Sequence, residues 1–138
     1  MSVGVSTRGR RRSVAALACL MAILPGCASM IDPLERQIAE SDASDVTSVQ
    51  GYVIRDEAQG RELVERWEAL ADRMRDRPGF VRARLARGTA GSDLWLAASE
   101  WLDARALREA FSDADIGALE AAMPDRSFGY LYERVASR

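Results

Sequence analysis

No lysine, histidine or asparagine occurs among the 138 residues, and all 19 basic side chains are arginine. Without histidine there is no imidazole general base, no imidazole metal ligand and no axial histidine for haem. Without lysine there is no Schiff-base chemistry. No glycine-rich phosphate loop or internal repeat is present, and no paired-carboxylate, Ser–His–Asp or Cys–His arrangement can be assembled. No metal or cofactor motif is visible, so the sequence calls for neither. What remains suffices for one domain and is too short for two. With 48% hydrophobic and 29% charged residues, the chain fits a packed globule rather than wholesale disorder.

Charge is unevenly placed. Residues 1–30 hold Arg8, Arg10, Arg11 and Arg12 and no carboxylate, while the other 15 arginines face 21 carboxylates and leave −6 on the rest. An acidic body with its basic run at the extreme N-terminus argues against nucleic acid as a partner.

That basic run precedes SVAALACLMAIL, residues 13–24, which is uncharged. A basic stretch, about 7–15 apolar residues and small residues beyond them form an export-signal pattern. The run is too short to span a bilayer, which takes about 20 residues. It ends in Leu24-Pro25-Gly26-Cys27-Ala28-Ser29. This resembles a bacterial lipobox, with Pro25 where a small or hydroxyl residue is usual. Residues 1–26 are therefore expected to be a lipoprotein-type signal peptide, with Cys27 acylated and anchoring the protein to the membrane at the cell envelope. Secretion without a lipid is the alternative. Residues 27–45 are expected to be a tether, with one short helical turn around Leu34 to Ile38.

Residues 46–138 read as one βαββαβ unit. Strands are expected over 46–55, 80–87, 94–101 and 127–135, from β-rich and alternating composition. Leu63, Trp67, Leu70 and Met74 recur at helical spacing between Asp56, with Gln59 three residues on, and Pro78-Gly79. Asp103 is placed to cap a short helix through Leu107 and Phe111. Ser112 with Asp115 reads as a capping box for a further helix carrying Ile116, Leu119 and Met123. The order gives an α+β, ferredoxin-like fold, a four-stranded antiparallel sheet with helices on one face. Leu94, Leu96 and Ala98 point opposite to Trp95, Ala97 and Trp101, and Phe128, Tyr130 and Tyr132 point opposite to Leu131 and Val135. Both faces are thus apolar. Helices cover one, and a second copy of the chain is the simplest cover for the other, which predicts a homodimer.

Trp67, Arg77-Pro78-Gly79-Phe80, Arg84-Leu85, Ser99-Glu100-Trp101-Leu102-Asp103, Ala106 and Phe111 carry a resemblance over residues 46–138. The body resembles the antibiotic biosynthesis monooxygenase (ABM) family, dimeric α+β barrels whose two sheets pack face to face. The resemblance implies cofactor-independent oxygen chemistry on an electron-rich aromatic or quinol-type substrate, in a pocket between sheet and helices. Trp101 matches the family's tryptophan. The haem degraders of that family also use an asparagine and a histidine, which this chain lacks, so haem degradation is not expected.

The candidate catalytic residues are Trp101, at a strand end, and Glu100 beside it, a proton acceptor if burial raises its pKa. Trp67, Phe80, Tyr52 and Arg84 are the candidate substrate-binding residues. Each has a structural reading as well: core packing for Trp101, Trp67 and Phe80, a dimer-seam tyrosine for Tyr52. Arg82 and Arg84, expected on the same strand face as Phe80, have salt bridging at the rim or stacking on Trp95 as alternatives to holding a substrate anion. Two functions remain: a small ABM-type monooxygenase at the envelope, or a non-catalytic lipoprotein using the same scaffold to bind a hydrophobic ligand or protein partner.

Overall fold

The computed structural model describes residues 33–138, so the signal segment and Cys27 lie outside the described residues. The element order is α1 (Leu34–Glu40), β1 (Ser44–Val53), α2 (Glu57–Arg75), β2 (Phe80–Ala86), β3 (Leu94–Asp103), α3 (Ala104–Phe111), α4 (Ala114–Ala121) and β4 (Phe128–Glu133). The strands form one antiparallel sheet in the order β2-β3-β1-β4. From β1 onward this is the ferredoxin-like βαββαβ arrangement read from the sequence, with the second helical segment divided at Ser112.

The helix starts follow from short polar side chains that accept from otherwise orphaned backbone N–H groups. Asp56 accepts from Gln59 N at 2.8 Å, and Gln59 Oε1 accepts in return from Arg55 N at 2.9 Å, which ties the end of β1 to α2. Asp103 accepts from Ala106 N at 2.7 Å and opens α3 directly out of β3. The start of α4 differs from the sequence reading. Asp113, not Ser112, is its cap, taking Asp115 N and Ile116 N, while the Ser112 hydroxyl donates back to Arg108 O at 2.7 Å and closes α3. Gly79 ends the α2–β2 turn at φ +83°, and a Cβ there would lie 2.4 Å from Ala106 Cβ, so both conformation and space demand glycine.

Residues 34–45 are part of the folded body rather than a tether. Leu34 and Ile38 are buried in the core, and the Arg108 guanidinium donates to Ile38 O at 2.7 Å and Ala39 O at 3.0 Å, which docks α1 on α3. β1 likewise begins at Ser44, pairing there with Asp103.

On the helix-covered face stand Val46, Ser48, Gln50 and Tyr52 of β1 and Trp95, Ala97, Ser99 and Trp101 of β3, directly paired. The outer face carries Val49, Val53, Leu96, Ala98 and the row Phe128, Tyr130 and Tyr132, whose adjacent ring centroids lie 5.8 and 6.1 Å apart. Its other end is charged. A bulge between Phe80 and Arg82 shifts the register of β2, so Phe80 faces the helices with Trp101 while Arg82 and Arg84 face outward with Glu100. The expectation that these arginines share a face with Phe80 therefore fails at this bulge. Among the described residues no helix is long and apolar enough to cross a membrane.

Candidate functional site

The sequence-derived site residues divide between the two sides of the sheet. Trp101 is wholly buried at the end of β3; its indole donates to Ser99 Oγ at 2.9 Å, and its ring meets the edge of Phe80 at 5.4 Å and 81°. The satisfied N–H and complete burial make Trp101 a core anchor at the end of β3, packed on Phe80 of β2. Tyr52 and Trp67 lie on the same side and line a chamber between β1, β3 and the helices. Phe80 and Trp67 also line an outer groove between α2 and β2.

Glu100 and Arg84 stand on the opposite face. The Glu100 side chain is 6% exposed beneath three guanidiniums: Arg82 Nε at 2.7 Å and Arg84 Nη2 at 2.9 Å on one oxygen, Arg134 Nη2 at 2.8 Å on the other. The Arg82 hydrogen bond, ahead of the contribution of Arg134, holds its carboxyl below the ordinary glutamate range. Glu100 is therefore held in its charged form among three guanidiniums, on the far side of the sheet from the chamber, and cannot take a proton from a ligand there. Arg84 is committed to the same carboxylate, in the rim salt-bridge role rather than stacking on Trp95. Arg87 stacks instead, with its guanidinium carbon 5.5 Å from the Trp95 ring centroid.

The chamber carries a polar set that sequence reading did not single out: Ser48, Gln50 and Ser99 on the strands, and Glu120 on α4. Tyr52 donates its hydroxyl to Gln50 Oε1 at 2.8 Å, and Gln50 in turn hydrogen-bonds the Glu120 carboxylate. Burial is the main force raising the Glu120 pKa; Gln50 and Arg126 work against it, and Glu35 adds to it. Burial likewise pushes the Tyr52 hydroxyl up, with the Glu120 charge contributing. Parity could have found this set. Ser48 and Gln50 share a strand face with Val46 and Tyr52, and Glu120 lies one helical turn beyond Ile116, so each is a polar residue at an inward position.

The chamber encloses only about 20 Å³, room for one water. Beside it, and sharing Phe111 and Glu120 with it, lies a cleft of about 170 Å³ between α1, α3 and α4, walled by Leu34, Ile38, Phe111 and Gly117. Arg126 spans its mouth. Its guanidinium hydrogen-bonds Glu35 on α1 and lies 3.6 Å from Glu120 Oε1. An apolar space of about 150 Å³ is enough to hold a benzene ring. The cleft thus pairs an apolar wall with one carboxyl of raised pKa and one guanidinium. Among the described residues no group of His, Cys, Asp or Glu side chains is arranged to hold a metal ion.

Comparison with solved structures gives the same architecture. SnoaB, a cofactor-independent oxygenase from Streptomyces nogalater, is 22% identical, with a TM-score of 0.59 over 69% of this chain and 97% of its own. Rv0793 from Mycobacterium tuberculosis matches at 13% identity and TM-score 0.58, covering 68% of this chain and 98% of its own. The haem-degrading protein Rv3592 from Mycobacterium tuberculosis matches at 19% and 0.51, covering 70% and 98%. At these identities the likeness is one of fold. No curated protein matches the sequence. The family described as antibiotic biosynthesis monooxygenase matches residues 48–121, more than half of the chain and the span from the first inward serine of β1 to the end of α4. With the sheet order, the neighbours and this match in agreement, the chain belongs to the antibiotic biosynthesis monooxygenase family.

Proposed function

We propose that this protein is a cofactor-independent monooxygenase of small phenolic or quinol-type aromatics, working at the cell envelope. The observation that carries the reading is the ring-sized cleft, with Glu120 and Arg126 at its inner end and mouth, opening beside the chamber of Tyr52 and Trp67. A hydroquinone can supply all the electrons itself: one atom of O₂ enters the ring, the other leaves as water, and the substrate becomes a hydroxyquinone. The protein's part is to bind the ring, orient it and exclude bulk water.

Cys27 as a lipid anchor and a homodimer built through the outer sheet face belong to the same proposal. The seven residue-to-residue steps from Cys27 to Leu34 span at most about 25 Å when extended, so an acylated Cys27 would hold the folded body close to the bilayer. The exposed Val53, Leu96 and Tyr132 on the outer face support the dimer, because an uncovered apolar sheet face favours association.

The small volume of the inner chamber favours a second reading, a binding module without chemistry: Leu70, Met74, Phe111 and Met123 nearly fill it. Oxygen uptake by the full-length protein with a panel of hydroquinones and naphthols separates the two. Saturable uptake with at least one member supports the oxygenase, and ring binding without uptake from any member overturns it in favour of the binding module.

A further inference from the structure

Three side-chain atoms of the described residues are buried without a hydrogen-bond partner: Arg77 Nε, whose guanidinium is already paired through Nη1 with Asp113, and, facing the helices, Ser48 Oγ and Glu120 Oε2. Folded interiors leave few such atoms, and each calls for an explanation. The latter two belong to residues that line internal spaces. Ser48, only 2% exposed, lines the chamber of about 20 Å³, which has room for one water. Glu120 lines that chamber and also the cleft of about 170 Å³, whose apolar walls, Leu34, Ile38 and Phe111, offer no side-chain donor, while the guanidinium on its lining, Arg126, lies 3.6 Å from Oε1.

Resting on the oxygenase reading, we infer that the Glu120 carboxylate accepts the hydroxyl of a single-ring phenol or hydroquinone seated in this cleft and takes its proton. The substrate O–H bond breaks, the proton passes to the carboxylate, and the electron pair stays on the phenolate oxygen. No electron leaves the substrate in this step, so it needs no oxidant; it prepares the electron-rich ring for O₂. The surroundings suit the transfer. Burial makes the Glu120 carboxylate a stronger base than an exposed one. Arg126, from the segment before β4, supplies a positive charge beside the phenolate, and Glu35 on α1 keeps that guanidinium at the cleft mouth. From β1, Gln50, itself held by the Tyr52 hydroxyl, hydrogen-bonds the carboxylate. The face of α2 adds Trp67, Leu70 and Met74, and α3 adds Phe111, none of them charged; Arg66 on α2 is spent on Ala122 O.

The test uses the full-length protein with two rings of nearly equal size, phenol and toluene, titrated calorimetrically. An apolar cleft alone prefers toluene; an acceptor at its end reverses that order. The expected result is phenol bound about tenfold or more tightly than toluene, with Glu120→Leu abolishing that preference and leaving toluene binding intact. Toluene bound as tightly as phenol by the wild type, or an unchanged preference in the variant, overturns the assignment while the oxygenase reading stands. A wild type that binds neither ring overturns the cleft as a ring site, and the assignment with it, whether or not oxygen uptake is seen. The proton step is read separately. Glu120→Gln, which still accepts a hydrogen bond, should lower kcat for oxygen uptake about 100-fold with little change in KM. An unaltered kcat overturns the base role.

Discussion

Two glutamates on opposite faces of one sheet show how environment divides a residue type into two roles. Glu100 sits among three arginines and stays charged, whereas Glu120 sits among apolar side chains and holds its proton more readily. The linkage signs are opposite. The Glu100 contribution to stability is present above the ordinary carboxylate range and is lost as pH falls through its lowered pKa. The Glu120 contribution is present below that range and is lost as pH rises through its raised pKa. Thermal melts across pH should therefore show Glu120→Gln with a higher Tm than wild type at neutral pH and without the decline on its alkaline side. Glu100→Gln should show a lower Tm at neutral pH and a flatter acid side. An unchanged profile in either variant would contradict the environment assigned to that carboxyl. Trp101 belongs to this scale too. As a fully buried ring on Phe80, its replacement by alanine should cost about 3–5 kcal/mol in chemical denaturation, a structural effect that precedes any on turnover.

The secondary-structure elements were largely legible because their signals are local. The spacing of Leu63, Leu70 and Met74, the caps at Asp56 and Asp103, and the glycine at Gly79 each act within one or two turns of chain. Three features were not legible, two of them because they depend on contacts distant in sequence and one because two adjacent side chains compete for the same helix boundary. The bulge after Phe80, which sends Arg82 and Arg84 to the other face, exists only in the pairing with β3. The choice between Ser112 and Asp113 as cap depends on the α3 carbonyl that claims the serine. Leu34 and Ile38 look like isolated apolar residues in a polar stretch until Arg108 brings α1 down onto the core. The candidate site was legible in part: Tyr52 and Trp67 line the chamber, and strand alternation alone sends Glu100 and Trp101 to opposite faces, whereas Glu120 reaches Gln50 only through the tertiary fold. Asp113→Ala should cost about 1 kcal/mol and Ser112→Ala less, measured by urea denaturation. Removing residues 1–41 exposes the surfaces that Leu34 and Ile38 bury and should cost about 3–6 kcal/mol, opening the cleft as α1 leaves. Equal stability of the shortened and full chains would contradict the docked role of α1.

At the scale of the whole molecule, one sheet serves two surfaces. Its helix side holds the chamber, the cleft and the Glu120–Gln50–Tyr52 chain; its outer side presents the aromatic row and the Glu100 arginine cluster. For the outer side the proposal is self-association, and Leu96→Glu, at the centre of the apolar patch, should convert a dimer to a monomer in light scattering. A wild type that is monomeric at every accessible concentration would contradict it. For the helix side, the claim on which the functional account stands is that a ring bound beside Glu120 reacts with O₂ directly. Incubating the purified full-length protein with hydroquinone under isotopically labelled O₂, without added metal or flavin, tests it most directly. The account predicts a hydroxyquinone carrying one labelled oxygen atom, with the second in water, at a rate that collapses in Glu120→Gln. A product without label, or no product at all, would contradict it.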